Sequence, residues 1–396
     1  MFVGADAKYM VNFRGEVMRC VQERGYKVVV LATALGDFDP TALEACGIEF
    51  IAWNLNKSAL NPVADFDPIL RLFKVLRRTK PKLVFAHTIK PVIYTMIAAA
   101  LAGVSRRVAM IPGLGYSFIG VSGVRHRLVA AAAWVGYRTA LSFAHMAIFH
   151  NADDLAELRD AGALPAKTPT GLVNGSGVDM AHFAAAPLPD GPTTFLLVAR
   201  LLKDKGVCEF VEAARTVKAV RPETRFVLVG AADTNPSAIP EQTVRDWVAE
   251  GLIEAPGHLR DPRQAYADCH VFVLPSYREG TPRTNLEAMA TGRAVITTDA
   301  PGCRETVVQE LNGLLVPPRN ADALAQAMLA LAQDPARVRE MGEAGRRLCD
   351  ERYELRTVAR ATTSLMINDV QSPWPPTRTE AKVEAGARAP LQAGLT

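Results

Sequence analysis

The sequence predicts an α/β protein made of two doubly wound, Rossmann-like parallel-sheet domains that face each other across a cleft. Short apolar runs alternate with helical patterns up to residue 177, and the same alternation restarts after Gly191. The Pro-rich stretch AAAPLPDGP at 184–192 separates the two series and has the composition of a linker. A chain of 396 residues is long enough for two domains of ordinary size.

The apolar runs have the length and β-branched content of strands that are buried in a parallel sheet. In the first series they are residues 1–3, 27–33, 48–53, 82–88, 107–113, 146–151 and 170–177; in the second they are 194–200, 225–231, 271–276, 294–299 and 313–318. We therefore expect domains at 1–183 and 193–352, a helix at 353–370 that returns to the first domain, and a disordered tail at 371–396.

Composition excludes several other classes of protein. Hydrophobic residues make up 49% of the chain and charged residues 22%, as in soluble globular proteins. The six scattered cysteines include no C-x-x-C pair, so we expect reduced thiols in a cytoplasmic protein rather than a disulfide or zinc framework. The amino terminus lacks the basic start and long apolar core of a signal peptide.

Charge is distributed unevenly along the chain. Residues 1–175 hold 20 Lys and Arg against 13 Asp and Glu, whereas the remainder holds 25 against 28. The span from Pro68 to Ala152 carries 12 Lys or Arg and no acidic residue. A basic surface of this kind attracts polyanions such as a diphosphate, an anionic lipid or a nucleic acid; a solvated surface without a partner is the alternative.

The stretch EGTPRTNLE, 279–287, follows the predicted strand 271–276. We expect Thr281 to cap the next helix and Pro282 to be its first residue, because this order favours a helix start. The helix is expected to end at Gly292.

Two carboxylates flank this helix start. Glu279 is predicted on the loop above the strand end, and Glu287 about one and a half turns into the helix. Between them, the amides of Arg283 and Thr284 are expected to be free at the positive end of the helix dipole. The sequence thus predicts two hydrogen-bond acceptors on either side of an anion site.

The stretch VARLLKDKGV, 198–207, adds two cations to the same edge of the second sheet. Arg200 ends a predicted strand, and Lys205 follows at the start of a helix. A guanidinium fork and an ammonium group can together neutralise a diphosphate. This spacing alone is common, and it becomes specific only together with Glu279 and Glu287.

These motifs together resemble the retaining glycosyltransferases of family 4, which have the GT-B fold. The similarity is carried by Arg200 with Lys205, by SYREGTPRTNLEAMATGRAVITTDAPGCRE at 276–305 with its two glutamates in an E-x7-E pattern, and by NGSGVDMAHF at 174–183. It spans residues 1 to about 370. The stretches SALNPV, GLGYSF, VGAADTNPS and LPSYREG are similar to those of bacterial members that act on undecaprenyl-diphosphate-linked acceptors.

The resemblance implies a transferase that moves GalNAc, GlcNAc or Gal from a UDP-sugar to a polyprenyl-diphosphate-linked saccharide in bacterial surface-glycan or glycoprotein biosynthesis. Glu287 would accept hydrogen bonds from the ribose, Glu279 would hold the donor sugar, and Arg200 with Lys205 would stabilise the leaving diphosphate. The implied donor-side residues are Arg200, Lys205, Glu279, Gly280, Arg283, Thr284 and Glu287. Such enzymes react on one face of the sugar and require neither a cofactor nor a metal.

Three residues of the first domain are implied on the acceptor side. They are Gly4, Arg14 and His87. A structural or solvated role is the alternative for Arg14. Many relatives carry a histidine before a glycine one strand later, where this chain has Pro112 and Gly113, so the resemblance leaves open which histidine contacts the donor sugar.

Two segments are candidates for contact with a membrane. The helix predicted at 66–80 carries Arg71, Lys74 and Arg78 on one face, which either is solvated or binds anionic lipid phosphates. The apolar stretch 128–149 contains Arg138 and His145, which disfavours a transmembrane span but allows an interfacial helix. We expect an enzyme that is peripheral on the inner face of the cytoplasmic membrane.

Four other functions compete with that of a transferase. A nicotinamide dehydrogenase is rejected because Gly113-x-Gly115 lacks the third glycine and the acidic ribose partner at the required spacing. No aromatic-rich basic motif supports a nucleic-acid partner. A sugar-binding module without turnover and a nucleotide-sugar epimerase of the same fold remain as alternatives, as do soluble or other lipid acceptors.

Overall fold

The computed structural model describes residues 1–34, 38–55, 66–114, 124–233, 235 and 237–367. The predicted tail 371–396, the stretch 58–63 and most of the stretch 113–118 lie outside these residues. Within them, the prediction of two parallel-sheet domains is confirmed.

The first domain is built on a parallel sheet with the strand order β3-β2-β1-β4-β5-β6-β7. Its strands are β1 (Phe2–Val3), β2 (Val29–Ala32), β3 (Glu49–Ala52), β4 (Leu83–His87), β5 (Arg106–Ile111), β6 (Met146–Phe149) and β7 (Thr170–Leu172). Its helices are α1 (Ala7–Glu23), α2 (Thr41–Glu44), α3 (Phe66–Thr79), α4 (Ile89–Ala102), α5 (Val124–Ser142) and α6 (Ala152–Asp160). Helices cover both faces of the sheet, which explains why its central strands are apolar throughout.

The second domain is also built on a parallel sheet, with the strand order β10-β9-β8-β11-β12-β13. Its strands are β8 (Thr194–Val198), β9 (Arg225–Val229), β10 (Glu254–Gly257), β11 (Val271–Leu274), β12 (Ala294–Thr298) and β13 (Gly313–Val316). Its helices are α7 (Val207–Val220), α8 (Glu241–Ala249), α9 (Arg263–Ala267), α10 (Arg283–Thr291), α11 (Ala321–Ala332) and α12 (Pro335–Tyr353).

The chain crosses between the domains twice. Residues 184–192 lead from the first domain to β8, and after α12 the helix α13 (Leu355–Ile367) packs against α1 of the first domain. Next to these crossings the two segments are hydrogen-bonded to each other: the amide of Val178, ahead of the linker, donates to the carbonyl of Tyr353 at 2.8 Å, and that of Leu355 to the carbonyl of Val178 at 3.0 Å.

Each sheet buries its own hydrophobic core. In both domains the carboxyl ends of the strands open toward the cleft, where polar loops replace the apolar runs. No helix in the described ranges is long and apolar enough to cross a bilayer. The apolar stretch at 128–149 is divided between α5 and the buried strand β6.

Candidate active site

A cavity of about 640 Å³ lies between the two domains and receives side chains from both. From the first domain it is lined by Tyr9, Phe13, Thr88, Pro112 and His150, among others; from the second by Arg200, Lys205, Glu279, Gly280, Thr281, Arg283 and Thr284. A larger open groove of about 1110 Å³ runs along the edge strand β10, but it contains none of the predicted site residues. The cleft cavity is therefore the candidate active site.

Lys205 and Glu279 form the central ion pair of this cavity. Lys205 lies on a 3-10 helix (Lys203–Lys205) that follows β8, and Glu279 lies on the loop after β11. The Lys205 Nζ donates to Glu279 Oε1 at 2.5 Å, and each side chain is less than one-fifth exposed. Adjacent parallel strands β8 and β11 thus bring together an ammonium group and a carboxylate that are 74 residues apart in sequence.

Arg200 lines the same cavity but has a different carboxylate partner. Its Nη1 donates to Asp233 Oδ2 at 3.0 Å, and its side chain is 61% exposed. Arg200 and Lys205 therefore lie on one wall of the cavity, as predicted, with a free approach for an anion on the exposed side of the guanidinium.

The start of α10 differs by one residue from the prediction. Pro282 has extended backbone angles at the N-cap position, and the helix begins at Arg283. Thr281 does not cap it: its hydroxyl donates instead to the carbonyl of His150 in the other domain, at 3.3 Å. The first-turn residues Arg283 and Thr284 line the cavity, and Gly292 ends the helix in the left-handed region at φ 85°.

Glu287 lies behind Arg283 and is not among the residues that line the cavity. Its carboxylate is buried, accepts a hydrogen bond from the Tyr266 hydroxyl at 2.8 Å and lies 3.1 Å from Arg283 Nε. Burial raises the pKa of Glu287 above its usual range, and Arg283 and Tyr266 oppose that rise. The carboxylate is thus held in place by two neighbours.

The three residues expected on the acceptor side do not line the cavity. Gly4 is buried after β1, where a β-carbon would lie 2.4 Å from the side chain of Met10. Arg14 and His87, which the resemblance implies on the acceptor side, are each only 1% exposed. Gly4 and His87 lie at the carboxyl ends of β1 and β4, but the His87 side chain, like that of Arg14 in α1, is buried.

Arg14 joins two buried histidines, His87 at the end of β4 and His150 directly after β6. Its Nη2 lies 2.9 Å from His87 Nε2 and 3.1 Å from His150 Nε2. Because a guanidinium only donates, both Nε2 atoms must accept, which leaves both rings neutral with the proton on Nδ1. Burial, reinforced by Arg14, holds the pKa of both histidines well below the usual range, and burial lowers the pKa of Arg14 to about 10.

A cross-domain cluster next to the cavity was missed by the sequence reasoning. Arg278, just before Glu279, pairs with Asp154 and, at 2.5 Å, with Glu157, both on α6. Nearby, Arg304 pairs with Asp153 at 2.7 Å. The stretch HNADD at 150–154, directly after β6, was the available signal, because polar residues at the carboxyl end of a parallel strand mark the ligand edge.

The loops of the two domains also touch through their backbones. The Asn151 side chain donates to the carbonyl of Gly280 at 2.9 Å. A β-carbon built on Gly280 would lie 1.6 Å from the carbonyl oxygen of Pro112, and one built on Gly113 would lie 3.3 Å from the Gly280 α-carbon. Only glycine allows this approach of the two loops.

Two family models match the chain, one on each domain. Residues 2–139 match the model described as glycosyl transferase 4-like, and residues 192–334 match glycosyl transferases group 1. Among bacterial relatives, the N,N'-diacetylbacillosaminyl-diphospho-undecaprenol alpha-1,3-N-acetylgalactosaminyltransferase of Campylobacter jejuni is 28% identical over 84% of this chain and 89% of its own length. The UDP-Gal:alpha-D-GlcNAc-diphosphoundecaprenol alpha-1,3-galactosyltransferase of Escherichia coli is 27% identical over 69% and 72%.

Solved structures support the same fold. Sucrose-phosphate synthase from Thermosynechococcus elongatus superposes with a TM-score of 0.75 at 20% identity, over 93% of this chain and 98% of that one. Anabaena HepE in complex with UDP superposes with a TM-score of 0.71 at 18% identity, over 93% and 100%. With both domains matched and the cleft residues in place, the chain belongs to the family 4 glycosyltransferases and has the GT-B fold.

Proposed function

We propose that this enzyme transfers a hexose (GalNAc, GlcNAc or Gal) from a UDP-sugar to a polyprenyl-diphosphate-linked saccharide, with retention of the anomeric configuration. The names of the two bacterial relatives describe transfer to undecaprenyl-diphosphate-linked sugars. The product would be an intermediate of a bacterial surface glycan or glycoprotein.

The observation that carries the proposal is the Lys205–Glu279 pair in a cavity shared with Arg200 and the first turn of α10. When the bond between the sugar C1 and the phosphate oxygen breaks, negative charge develops on the diphosphate. Arg200, Lys205 and the backbone amides at the start of α10 would stabilise that charge. Glu279 would accept hydrogen bonds from hydroxyls of the transferred sugar.

The acceptor hydroxyl would attack C1 on the face that the diphosphate leaves. Its oxygen forms the new bond to C1, and its proton passes to the departing phosphate oxygen, so no protein base is needed. Glu287 would hold the ribose hydroxyls of the nucleotide; it pairs with Arg283, which lines the cavity.

We further propose that α3 holds the enzyme on the anionic inner face of the cytoplasmic membrane. Its buried face packs on the first domain through Leu72 and Leu76. Its outer face combines the exposed apolar residues Phe66 and Leu70, 67% and 38% exposed, with four exposed basic residues, Arg71, Lys74, Arg77 and Arg78. Apolar and basic groups on one surface suit an interface of anionic lipid headgroups.

A nucleotide-release assay tests the transferase proposal. UDP- and GDP-sugars are screened singly, with a short-chain prenyl-diphosphate GlcNAc, a soluble disaccharide or no acceptor. We expect acceptor-dependent UDP release with one UDP-hexose and the prenyl-linked acceptor. Interconversion of UDP-sugars without nucleotide release would identify an epimerase. If none of the UDP- or GDP-sugars gives nucleotide release, the proposal is contradicted.

The variant Arg200→Ala separates an enzyme from a binding module. The rate of transfer is expected to fall about 100-fold, because the guanidinium that stabilises the charge developing on the diphosphate is lost. UDP affinity should fall much less. Equal losses of UDP affinity and turnover would mean that Arg200 acts only by binding the donor, and a wild-type protein that binds UDP without turnover would be a binding module.

Vesicle flotation tests the membrane proposal. The enzyme is expected to bind phosphatidylglycerol vesicles, and this binding should weaken as salt is added. The triple variant Lys74→Glu, Arg77→Glu, Arg78→Glu should lose it. A matched triple variant of exposed second-domain arginines, Arg245→Glu, Arg339→Glu, Arg347→Glu, should still float. Equal binding to neutral phosphatidylcholine vesicles would contradict it.

A further inference from the structure

Two aromatic rings of α1 form a platform in the wall of the active-site cavity. The rings of Tyr9 and Phe13, one helical turn apart, are stacked with centroids 4.2 Å apart and planes inclined by 27°. Tyr9 is 39% exposed although both residues line the cavity. An aromatic side chain left open to a cavity has apolar surface that a ligand can cover.

The platform is held rigidly from two sides. The ring of Tyr9 lies 5.4 Å from that of His87, which is fixed by Arg14, and the Tyr9 amide donates to Asp6 at the helix N-cap. On the other side, the guanidinium carbon of Arg283 lies 5.1 Å from the centre of the Phe13 ring. The Arg283 side chain also donates to the carbonyl of Asn12 at 3.1 Å. Arg283 covers Phe13, so Tyr9 presents the open ring.

The open ring lies opposite the groups that handle the donor. Tyr9 lines the same cavity as Glu279, Arg200 and Arg283. Those three residues belong to the second domain, whereas Tyr9 belongs to the first. A ligand on Tyr9 would therefore approach the donor sugar from the opposite domain.

We propose that Tyr9, supported by Phe13, is the subsite for the acceptor's terminal sugar, which stacks the C–H face of its pyranose ring on the phenol. The inference rests on the proposed function and names the part of the acceptor that this wall binds. Pyranose rings have one face rich in C–H bonds, and covering it with an aromatic ring removes apolar surface from water while the hydroxyls at its edge stay free to react.

The test measures KM separately for donor and acceptor, with UDP-hexose and a short-chain prenyl-diphosphate GlcNAc. In Tyr9→Ala we expect KM for the acceptor to rise roughly tenfold and KM for the donor to change less than twofold. Tyr9→Phe should keep the wild-type acceptor KM because it keeps the ring. Tyr26→Ala removes another exposed tyrosine, outside the cavity, and should match wild type.

An unchanged acceptor KM in Tyr9→Ala, or a rise confined to the donor KM, would overturn the inference. If Tyr9→Ala does not fold, saturation-transfer NMR on the wild-type protein decides: irradiating aromatic protons should label the C–H face of the acceptor's sugar, and absence of labelling counts against the platform. A wild-type protein that transfers to no acceptor would instead refute the proposed function.

Discussion

Gly280 in the second domain packs closely against the carbonyl oxygen of Pro112 in the first domain. A β-carbon added to Gly280 would lie 1.6 Å from that oxygen. The absence of a side chain at Gly280 therefore sets how closely the two domains can approach each other. In Gly280→Ala the loops must separate, which also moves Glu279 away from the first domain.

We expect Gly280→Ala to lower transfer at least 100-fold, because misplacement by about an ångström is enough to disrupt a reacting geometry. UDP affinity should change little, since the donor-side residues stay on one domain, and small-angle scattering should show a larger radius of gyration. Gly15→Ala is the control: nothing lies within 4 Å of its added β-carbon, and it should be neutral or stabilising. A fully active Gly280→Ala enzyme would mean that the closed contact is dispensable.

Lys205→Ala should lower kcat by roughly 100- to 1000-fold, because the variant loses the ammonium group that faces the developing charge on the diphosphate. Lys203, an exposed lysine of the same 3-10 helix, provides the matched control, and Lys203→Ala should keep near wild-type rates. Steady-state kinetics with the active donor check both variants. Similar losses in the two would point to a general charge effect.

Tyr266→Phe tests how Glu287 is held. The variant removes a hydrogen bond that lowers the pKa of Glu287, so that pKa should rise further above its already raised value. Only the ionised carboxylate accepts both ribose hydroxyls, so UDP affinity should fall as the pH drops through that pKa. In the variant the fall should begin at a higher pH.

Calorimetric titration with UDP between about pH 5 and pH 8 measures this shift. At neutral pH the variant should bind UDP roughly tenfold more weakly. Tyr353→Phe, which loses a hydrogen bond to the carbonyl of Glu305, should leave the pH profile unchanged. Coincident profiles for Tyr266→Phe and the wild type would show that the tyrosine does not tune Glu287.

Protein stability should fall with acid because of His87 and His150. Their pKa values in the folded state lie well below the usual 6.5, so the unfolded chain binds more protons. The free energy of unfolding should therefore decrease as the pH falls below about 6.5, by up to about 1.4 kcal/mol per pH unit for each histidine. His87→Gln should lose about half of this slope.

Denaturant titrations of wild type and His87→Gln at pH 7, 6 and 5 supply the comparison. The quantity to compare is the slope of the free energy of unfolding against pH in the two proteins. Other titrating groups contribute equally to both slopes, so their difference reports His87. Identical slopes would mean that His87 is not buried as a neutral ring.

The sheets could be predicted from the sequence because strands buried on both faces are continuous apolar runs. β10 was missed because its sequence, EAPG, is short and contains a proline, which an edge strand tolerates. Lys205 and Glu279 were found because each follows a recognisable strand. The pairing of Arg14 with His150 joins residues 136 positions apart, and no local pattern distinguishes a buried arginine from a solvated one.

The cross-domain pairs were missed for the same reason. Arg278 and Asp154 are each ordinary charged residues in sequence, and only the approach of the two domains makes them partners. Burial raises the pKa of Asp154, and Arg278 opposes that rise; neither effect can be seen in the composition.

The hydrogen bonds between Val178 and the segment around Tyr353 and Leu355 tie together the two strands of chain that pass between the domains. A proteolytic cut within 184–192 would leave the halves joined through α13, and a cut after α12 would leave them joined through the linker. We therefore expect any opening of the cleft to be a rotation about the place where these two connections are bonded to each other, because both cross between the domains there.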